Sequence, residues 1–115
     1  HQQFAMVPIN LLGAKFHADY LLTGHWSLAA ADEARRFCNV QVAADTARDG
    51  ARRVPSQAEL VLDPNTAYAY YCPNETIHGL EFDYVPDTGA VPLVADASSS
   101  FLSRPIEVAR HGLIY

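Results

Sequence analysis

One apolar run constrains the fold of this chain more than any other feature of its sequence. Residues 91–95 (VPLVA) carry no polar side chain and end directly at Asp96. A strand with this pattern is buried on both faces, which is typical of parallel sheets. A second buried strand is predicted over 67–72, where three tyrosines lead to a proline at position 73. We therefore expect parallel strands at the centre of the molecule.

Helical periodicity is found between the expected strands. The clearest helix is predicted over 27–37, where apolar residues recur every three positions and Ser27 can serve as the N-cap. A shorter helix is predicted over 4–13, with Pro8 in or near its first turn and Gly13 as its stop. This alternation predicts an α/β fold, a mostly parallel sheet flanked by helices. The remaining expected elements are strands over 19–23, 39–43 and 80–84, a loop over 44–59, a short helix from Pro105 and a last strand from Leu113.

Composition limits the classes of protein to which the chain can belong. With 115 residues, 50% hydrophobic and 18% charged, it resembles one globular domain rather than a disordered segment. Its net charge is −5 and its basic residues are scattered, so nucleic-acid binding is not expected. No apolar run approaches the roughly 20 residues that span a bilayer, so we expect no membrane segment. Both termini read as cut ends, because position 1 is not methionine and no turn follows the last strand.

The remaining groups able to bind metal or react as nucleophiles favour structural roles. Cys38 and Cys72 lie far apart, each beside an expected strand, and buried reduced thiols of a cytoplasmic protein are the expected state. A disulfide or a reactive thiol is the alternative. Four nearby polar residues match no compact metal-ligand spacing, so we expect no metal site and a solvated strand face instead. These four residues are His78, Glu81, Asp83 and Asp87.

Three residues are candidates for ligand binding. In an α/β sheet, ligands bind beyond the carboxyl ends of strands, where Asp96 and Thr76 are expected to lie. A carboxylate directly after an apolar strand needs a positive partner, which a protonated heterocycle would supply, and a turn or N-cap aspartate is the alternative. Thr76 could hydrogen-bond a ligand or stabilise a turn. Trp26, the only tryptophan, offers a flat face for stacking, but it could equally pack in the core or form a hydrophobic staple.

Several blocks of the sequence resemble the phosphoserine aminotransferase family, and the likeness covers nearly the whole chain. Trp26 stands in a Gly-His-Trp sequence where that family has Gly-Tyr-Trp. The blocks that separate this family from related aminotransferases follow the two buried strands. The resembling blocks are residues 4–12 (FAMVPINLL), 71–79 (YCPNETIHG), 94–99 (VADASS) and 102–105 (LSRP).

This resemblance implies a fold-type-I large domain that binds pyridoxal 5′-phosphate (PLP), with residues 1–115 as a central part truncated at both ends. It implies that Trp26 stacks on the PLP ring, that Thr76 hydrogen-bonds the ring hydroxyl and that Asp96 pairs with the ring nitrogen. It implies amino-group transfer between glutamate and 3-phosphohydroxypyruvate by a cytoplasmic homodimer, for L-serine synthesis and in many bacteria also for pyridoxine synthesis. The Schiff-base lysine of the family would follow Tyr115.

The resemblance therefore predicts no catalytic residue within the chain, and we expect this polypeptide alone not to catalyse transamination. Two alternatives stay open. The chain could belong to a non-catalytic binding or interaction domain that keeps the aminotransferase scaffold. It could also belong to another PLP enzyme of the same class, such as a different aminotransferase or a cysteine desulfurase.

Overall fold

The computed structural model describes residues 2–48 and 52–115. In these ranges the chain forms two helices, seven strands and two short 3-10 turns. The helices are α1 (Gln2–Leu11) and α2 (His25–Ala34), and the 3-10 turns span Gln57–Glu59 and Val108–Arg110. The strands are β1 (His17–Leu22), β2 (Asn39–Asp45), β3 (Ala69–Tyr71), β4 (Asn74–Glu75), β5 (Leu80–Glu81), β6 (Leu93–Ala95) and β7 (Leu113–Ile114).

Five of the strands form one sheet in the order β2-β1-β3-β6-β7. Every neighbouring pair in this sheet is parallel, which confirms the mostly parallel α/β fold predicted from the buried apolar runs. The strands β4 and β5 form a separate antiparallel hairpin that directly follows β3. Because the strands of the large sheet are parallel, the segments after β1, β3 and β6 all emerge at the same edge.

The core has two halves, one on each face of the sheet. Three alanines of α2 allow this helix to approach β1 closely, and α1 covers the same face. The opposite face is covered by irregular segments around residues 54–62 and 82–85. The helix-side core contains Phe4, Val7, Ala18, Tyr20, Leu22, Ala30, Ala31, Ala34, Tyr68, Tyr70 and Val94. The other half contains Leu21, Ala43, Ala69, Tyr71, Phe82, Val91, Leu93 and Ala95.

The start of α2 differs from the sequence prediction. The helix begins at His25 and ends at Ala34, and its N-cap is Gly24 rather than Ser27. The Ser27 side chain lies inside the first turn, where its Oγ accepts hydrogen bonds from the backbone N–H groups of Thr23 at 2.9 Å and Gly24 at 3.1 Å. The N-cap prediction was wrong because Ser27 is the third residue of the helix, from which its hydroxyl reaches back to the backbone N–H of the N-cap residue.

Three other element predictions also need correction. Pro8 lies well inside α1 rather than in or near its first turn, because the helix begins at Gln2. The predicted stop is confirmed, since α1 ends before Gly13, whose φ is +55°. The helix expected from Pro105 is only a 3-10 turn. The loop expected over 44–59 is shortened by β2 and interrupted by a 3-10 turn, and its residues 49–51 lie outside the described part of the chain.

Residues 2–48 and 52–115 contain neither a helix suited to span a membrane nor a cluster suited to bind a metal ion. None of the helices there combines the length and apolarity needed to cross a bilayer. In the same ranges, no group of three or more histidine, cysteine, aspartate or glutamate side chains could hold a metal ion.

A buried carboxyl group, that of Asp19, should make the stability depend on pH. Burial raises the pKa of Asp19, and the backbone N–H of Asp63, which donates to Oδ2 at 2.7 Å, only partly opposes this shift. A carboxyl group with a raised pKa in the folded state penalises folding progressively as the pH rises above its ordinary value of 3.8.

We therefore expect Asp19→Asn to gain stability relative to the unsubstituted protein as the pH rises through this window. The gain should be at most about 1.4 kcal/mol per pH unit and should level off once the raised pKa is passed. Urea denaturation of both proteins between about pH 4 and pH 7 measures it. A difference that stays constant or shrinks with rising pH would contradict the assignment.

Candidate functional site

The three candidate residues line one cavity of about 260 Å³ at the carboxyl edge of the sheet. Asp96 comes directly after β6, and Trp26 is the second residue of α2, which follows β1. Thr76 does not follow the large sheet directly, because it comes after β4 in the added hairpin. The structure thus brings together residues that are up to 70 positions apart in the sequence. The other lining residues are Gln3, Phe4, Cys72, Asn74, Ser98, Ser99 and Tyr115.

Trp26 is held by two hydrogen bonds, one from its backbone N–H and one from its indole N–H. Its backbone N–H donates to Glu75 Oε2 at 2.9 Å, and its Nε1–H donates to Thr76 Oγ1 at 3.1 Å. This position within the first turn of α2 rules out the hydrophobic-staple alternative, which requires a residue before the N-cap. Because the Thr76 oxygen already accepts from Trp26, its own O–H remains a donor that can be aimed at a ligand.

Sequence reasoning missed Glu75, which connects two of the candidate residues. Its side chain is fully buried, and its carboxylate accepts hydrogen bonds from the backbone N–H of Trp26 and, at 2.8 Å, from that of Ser27. A carboxylate in this place satisfies two of the free N–H groups at the start of α2 and lies at the positive end of the helix dipole. Glu75 also directly precedes Thr76. The two neighbouring residues therefore bind Trp26 together, Glu75 at its backbone N–H and Thr76 at its indole N–H.

The approach of Glu75 explains the glycine before the helix. A Cβ atom added to Gly24 would lie 2.7 Å from Glu75 Cδ and 2.8 Å from its Oε2. Any larger residue would therefore displace the capping carboxylate. Gly24 is extended, so the close approach, rather than backbone strain, is the reason for glycine at this position.

The Asp96 carboxylate is buried and receives three hydrogen bonds. Its Oδ1 accepts from the Ser98 backbone N–H at 3.1 Å and from the Ser98 hydroxyl, and its Oδ2 accepts from the Tyr70 hydroxyl at 3.3 Å. The alternative of a turn aspartate thus accounts for the hydrogen bonds of Oδ1 but not for that of Oδ2. Among the ion pairs of the described residues, none involves Asp96. A buried carboxylate without a cation fits a site whose positive partner is a ligand.

The environment of the Cys72 thiol, near this carboxylate, disfavours its thiolate form. Both cysteines are free, and Cys72 is buried as predicted, whereas Cys38 is only half-buried. Burial raises the pKa of the Cys72 thiol, and the charges of Glu75 and Asp96 raise it further. Burial also raises the pKa of the Cys38 thiol. Since the thiolate is the nucleophile, neither residue is suited to covalent chemistry.

The side chains around the cavity suit an aromatic cation that carries a hydroxyl group. Trp26 provides a flat face for stacking and Thr76 provides a hydroxyl donor. Asp96 provides a carboxylate with no protein cation beside it. A protonated pyridine ring with a ring hydroxyl, as in PLP, meets all three requirements.

Comparisons with known proteins agree with this geometry. The model of the family described as Aminotransferase class-V matches residues 1–115. A phosphoserine aminotransferase from Nitrosomonas europaea is 52% identical over 98% of this chain and 33% of its own length. One from Pseudomonas putida is 55% identical over 99% of this chain and 32% of its own length. The chain thus spans about a third of the length of these curated relatives.

Solved structures give the same result. A phosphoserine aminotransferase from Bacillus circulans subsp. alkalophilus superimposes with a TM-score of 0.92 at 41% identity, over 97% of this chain and 31% of that one. A PLP-bound phosphoserine aminotransferase from Trichomonas vaginalis gives 0.88 at 41% identity, over 98% of this chain and 32% of that one. The sheet order, the cavity and the sequence match have one common explanation: this chain belongs to the class-V aminotransferase family.

Proposed function

We propose that the protein containing this chain is a PLP-dependent phosphoserine aminotransferase, which transfers the amino group between glutamate and 3-phosphohydroxypyruvate. The observation that carries the proposal is the convergence of Trp26, Thr76 and Asp96 on one cavity at the carboxyl edge of the sheet. Relatives about half identical to this chain carry the name phosphoserine aminotransferase, which supports the choice of substrates. Residues 1–115 would form part of its PLP-binding large domain.

Each of the three residues has a distinct role in this proposal. PLP, when bound, supplies the electron sink that stabilises negative charge on the α-carbon of the amino acid. Asp96 would hold the proton on the ring nitrogen by charge pairing. Thr76 would donate a hydrogen bond to the ring oxygen, and Trp26 would stack on the ring and exclude water from one face.

The proposal requires a lysine from outside this chain. The only lysine here is Lys15, whose Nζ donates to the Thr66 backbone carbonyl at 3.2 Å. It is not among the residues that line the cavity. We therefore propose that another part of the complete protein supplies the covalent anchor. We also propose a cytoplasmic homodimer that serves L-serine synthesis.

The test of this function is an assay of the complete gene product with PLP. We expect release of 2-oxoglutarate and formation of phosphoserine when glutamate and 3-phosphohydroxypyruvate are both supplied. PLP binding without this reaction would indicate another class-V enzyme, and a cysteine substrate would then test for desulfurase activity. Failure to bind PLP at all would indicate a non-catalytic scaffold.

Replacing the stacking indole gives a direct prediction for the cofactor site. Trp26→Phe shortens the aromatic face and removes the hydrogen bond to Thr76. We expect the dissociation constant for PLP to rise roughly tenfold, because stacking and one hydrogen bond are both weakened. Equilibrium dialysis of the complete protein measures this change.

The control for that substitution is Phe37→Leu, which alters an exposed aromatic residue beyond the end of α2. It should leave the dissociation constant for PLP unchanged. Equal PLP binding by Trp26→Phe and the unsubstituted protein would show that the indole does not stack on the cofactor.

A further inference from the structure

A buried tyrosine of the central sheet, Tyr70, donates a hydrogen bond to the carboxylate of Asp96. Tyr70 lies on β3, next to β6, and its ring is almost completely buried against Tyr20, with ring centroids 4.7 Å apart. Its hydroxyl is 3.3 Å from Asp96 Oδ2 and 3.1 Å from the Tyr115 hydroxyl. The three groups form a chain of hydrogen bonds from the Tyr115 hydroxyl through the Tyr70 hydroxyl to the Asp96 carboxylate.

The direction of these hydrogen bonds follows from the number of protons available. An ionised carboxylate only accepts, so the single proton of the Tyr70 hydroxyl must point to Asp96. The Tyr115 hydroxyl must then donate to the Tyr70 oxygen. Burial raises the pKa of both phenols, and the charge of Asp96 raises both further, so both remain protonated donors at neutral pH.

The same accounting identifies the oxygen of Asp96 that is left for a ligand. A carboxylate accepts about four hydrogen bonds, about two on each oxygen. Oδ1 already accepts two from Ser98, whereas Oδ2 accepts one from Tyr70. The free accepting position is therefore on Oδ2, the oxygen that Tyr70 holds.

We propose that Tyr70 is a positioning residue that presents Asp96 Oδ2 to the ring nitrogen of the cofactor, and that the Tyr115 hydroxyl orients Tyr70. This inference rests on the proposed function. Without the Tyr70 hydroxyl, Ser98 would hold the carboxylate through one oxygen only, and the carboxylate could turn away from the cofactor. Tyr70 acts through Asp96 and does not line the cavity itself.

The test compares two buried tyrosines of the complete protein. Tyr70→Phe keeps the ring and removes only the hydroxyl. Tyr68→Phe is the matched control, because Tyr68 is as deeply buried as Tyr70. Its hydroxyl forms a hydrogen bond of 2.8 Å with the Tyr20 hydroxyl rather than with Asp96. The dissociation constant for PLP and the pH midpoint of the visible absorbance of bound PLP are measured for each variant, with urea denaturation as the check on folding.

We expect Tyr70→Phe to raise the dissociation constant for PLP roughly tenfold and to shift the absorbance midpoint, since it removes a hydrogen bond to a charged group. Tyr68→Phe should change neither quantity. Tyr115→Phe should have a smaller effect of the same kind. The double variant of Tyr70 and Tyr115 should match Tyr70→Phe alone, because Tyr115 acts through Tyr70.

Equal PLP binding by Tyr70→Phe and Tyr68→Phe would overturn this inference while leaving the proposed function intact. Additive effects of Tyr70→Phe and Tyr115→Phe would overturn the part assigned to Tyr115. If Tyr70→Phe does not fold, an unchanged absorbance midpoint and PLP affinity in Tyr115→Phe would overturn the proposal. Failure of the unsubstituted protein to bind PLP would overturn the proposed function and this inference with it.

Discussion

Asp96→Asn in the complete protein is expected to lower the rate constant for transamination by a factor on the order of 10²–10³, which is the scale of losing one preorganised electrostatic contact. Asparagine can keep the contacts with Ser98 through its oxygen. Its amide group would then stand where Asp96 Oδ2 accepts from Tyr70. The amide N–H groups would then face the Tyr70 hydroxyl and the protonated ring nitrogen, which are donors themselves. The ring nitrogen would also lose its negative partner. The measurement is kcat for phosphoserine formation at saturating PLP.

The control for this substitution is Asp19→Asn, which neutralises another buried carboxyl group. Asp19 lies on β1, and its side chain turns to the backbone of Asp63 rather than to the cavity. Its substitution should leave kcat within about twofold of the unsubstituted protein. Comparable losses in the two variants would mean that removal of any buried charge impairs the enzyme, and the special role of Asp96 would be lost.

The second large effect is expected from Glu75→Ala, which should lower the free energy of unfolding by about 3 kcal/mol. The substitution leaves two backbone N–H groups at the start of α2, those of Trp26 and Ser27, without their acceptor. It also opens a space beside Gly24 that the side chain now fills. Urea denaturation measures the loss. Because Trp26 would no longer be fixed, the affinity for PLP should fall as well.

Glu33→Gln is the matched control, since Glu33 lies on the same helix and pairs with Arg36 at the surface. Exposed ion pairs contribute little, so its effect on the free energy of unfolding should stay below about 0.5 kcal/mol. A loss of similar size in both variants would contradict the capping role of Glu75. Full stability of a Gly24→Ala variant would contradict it as well, because the added Cβ would force the Glu75 carboxylate to move.

The sequence was most informative where one local pattern decided the structure. The apolar run before Asp96 predicted a buried strand, and β6 occupies residues 93–95 of it. The parallel arrangement followed from the alternation of such strands with helices. Boundaries were less predictable: α2 begins two residues before Ser27, and α1 begins at Gln2, so that Pro8 lies beyond its first turn. For α2 the start depends on a distant side chain, Glu75, that accepts from its backbone donors.

The candidate site shows the same division. Trp26, Thr76 and Asp96 could be selected from the sequence because the blocks that contain them resemble the phosphoserine aminotransferase family, in which an indole, a hydroxyl and a carboxylate at these positions would face PLP. Glu75 and Tyr70 could not, since a glutamate beside a turn and a tyrosine in a buried strand have ordinary structural explanations. Their roles depend on hydrogen bonds to residues 48 and 26 positions away in the chain.

The sequence by itself therefore determined the two buried strands at the centre of the parallel sheet and the place of Asp96 at its carboxyl edge. These properties depend on hydrophobic pattern and strand order, which neighbouring residues encode. Only the tertiary structure decided which donors meet each carboxylate. A buried polar group must find its partner wherever packing places one, and that choice involves the whole fold rather than any single segment.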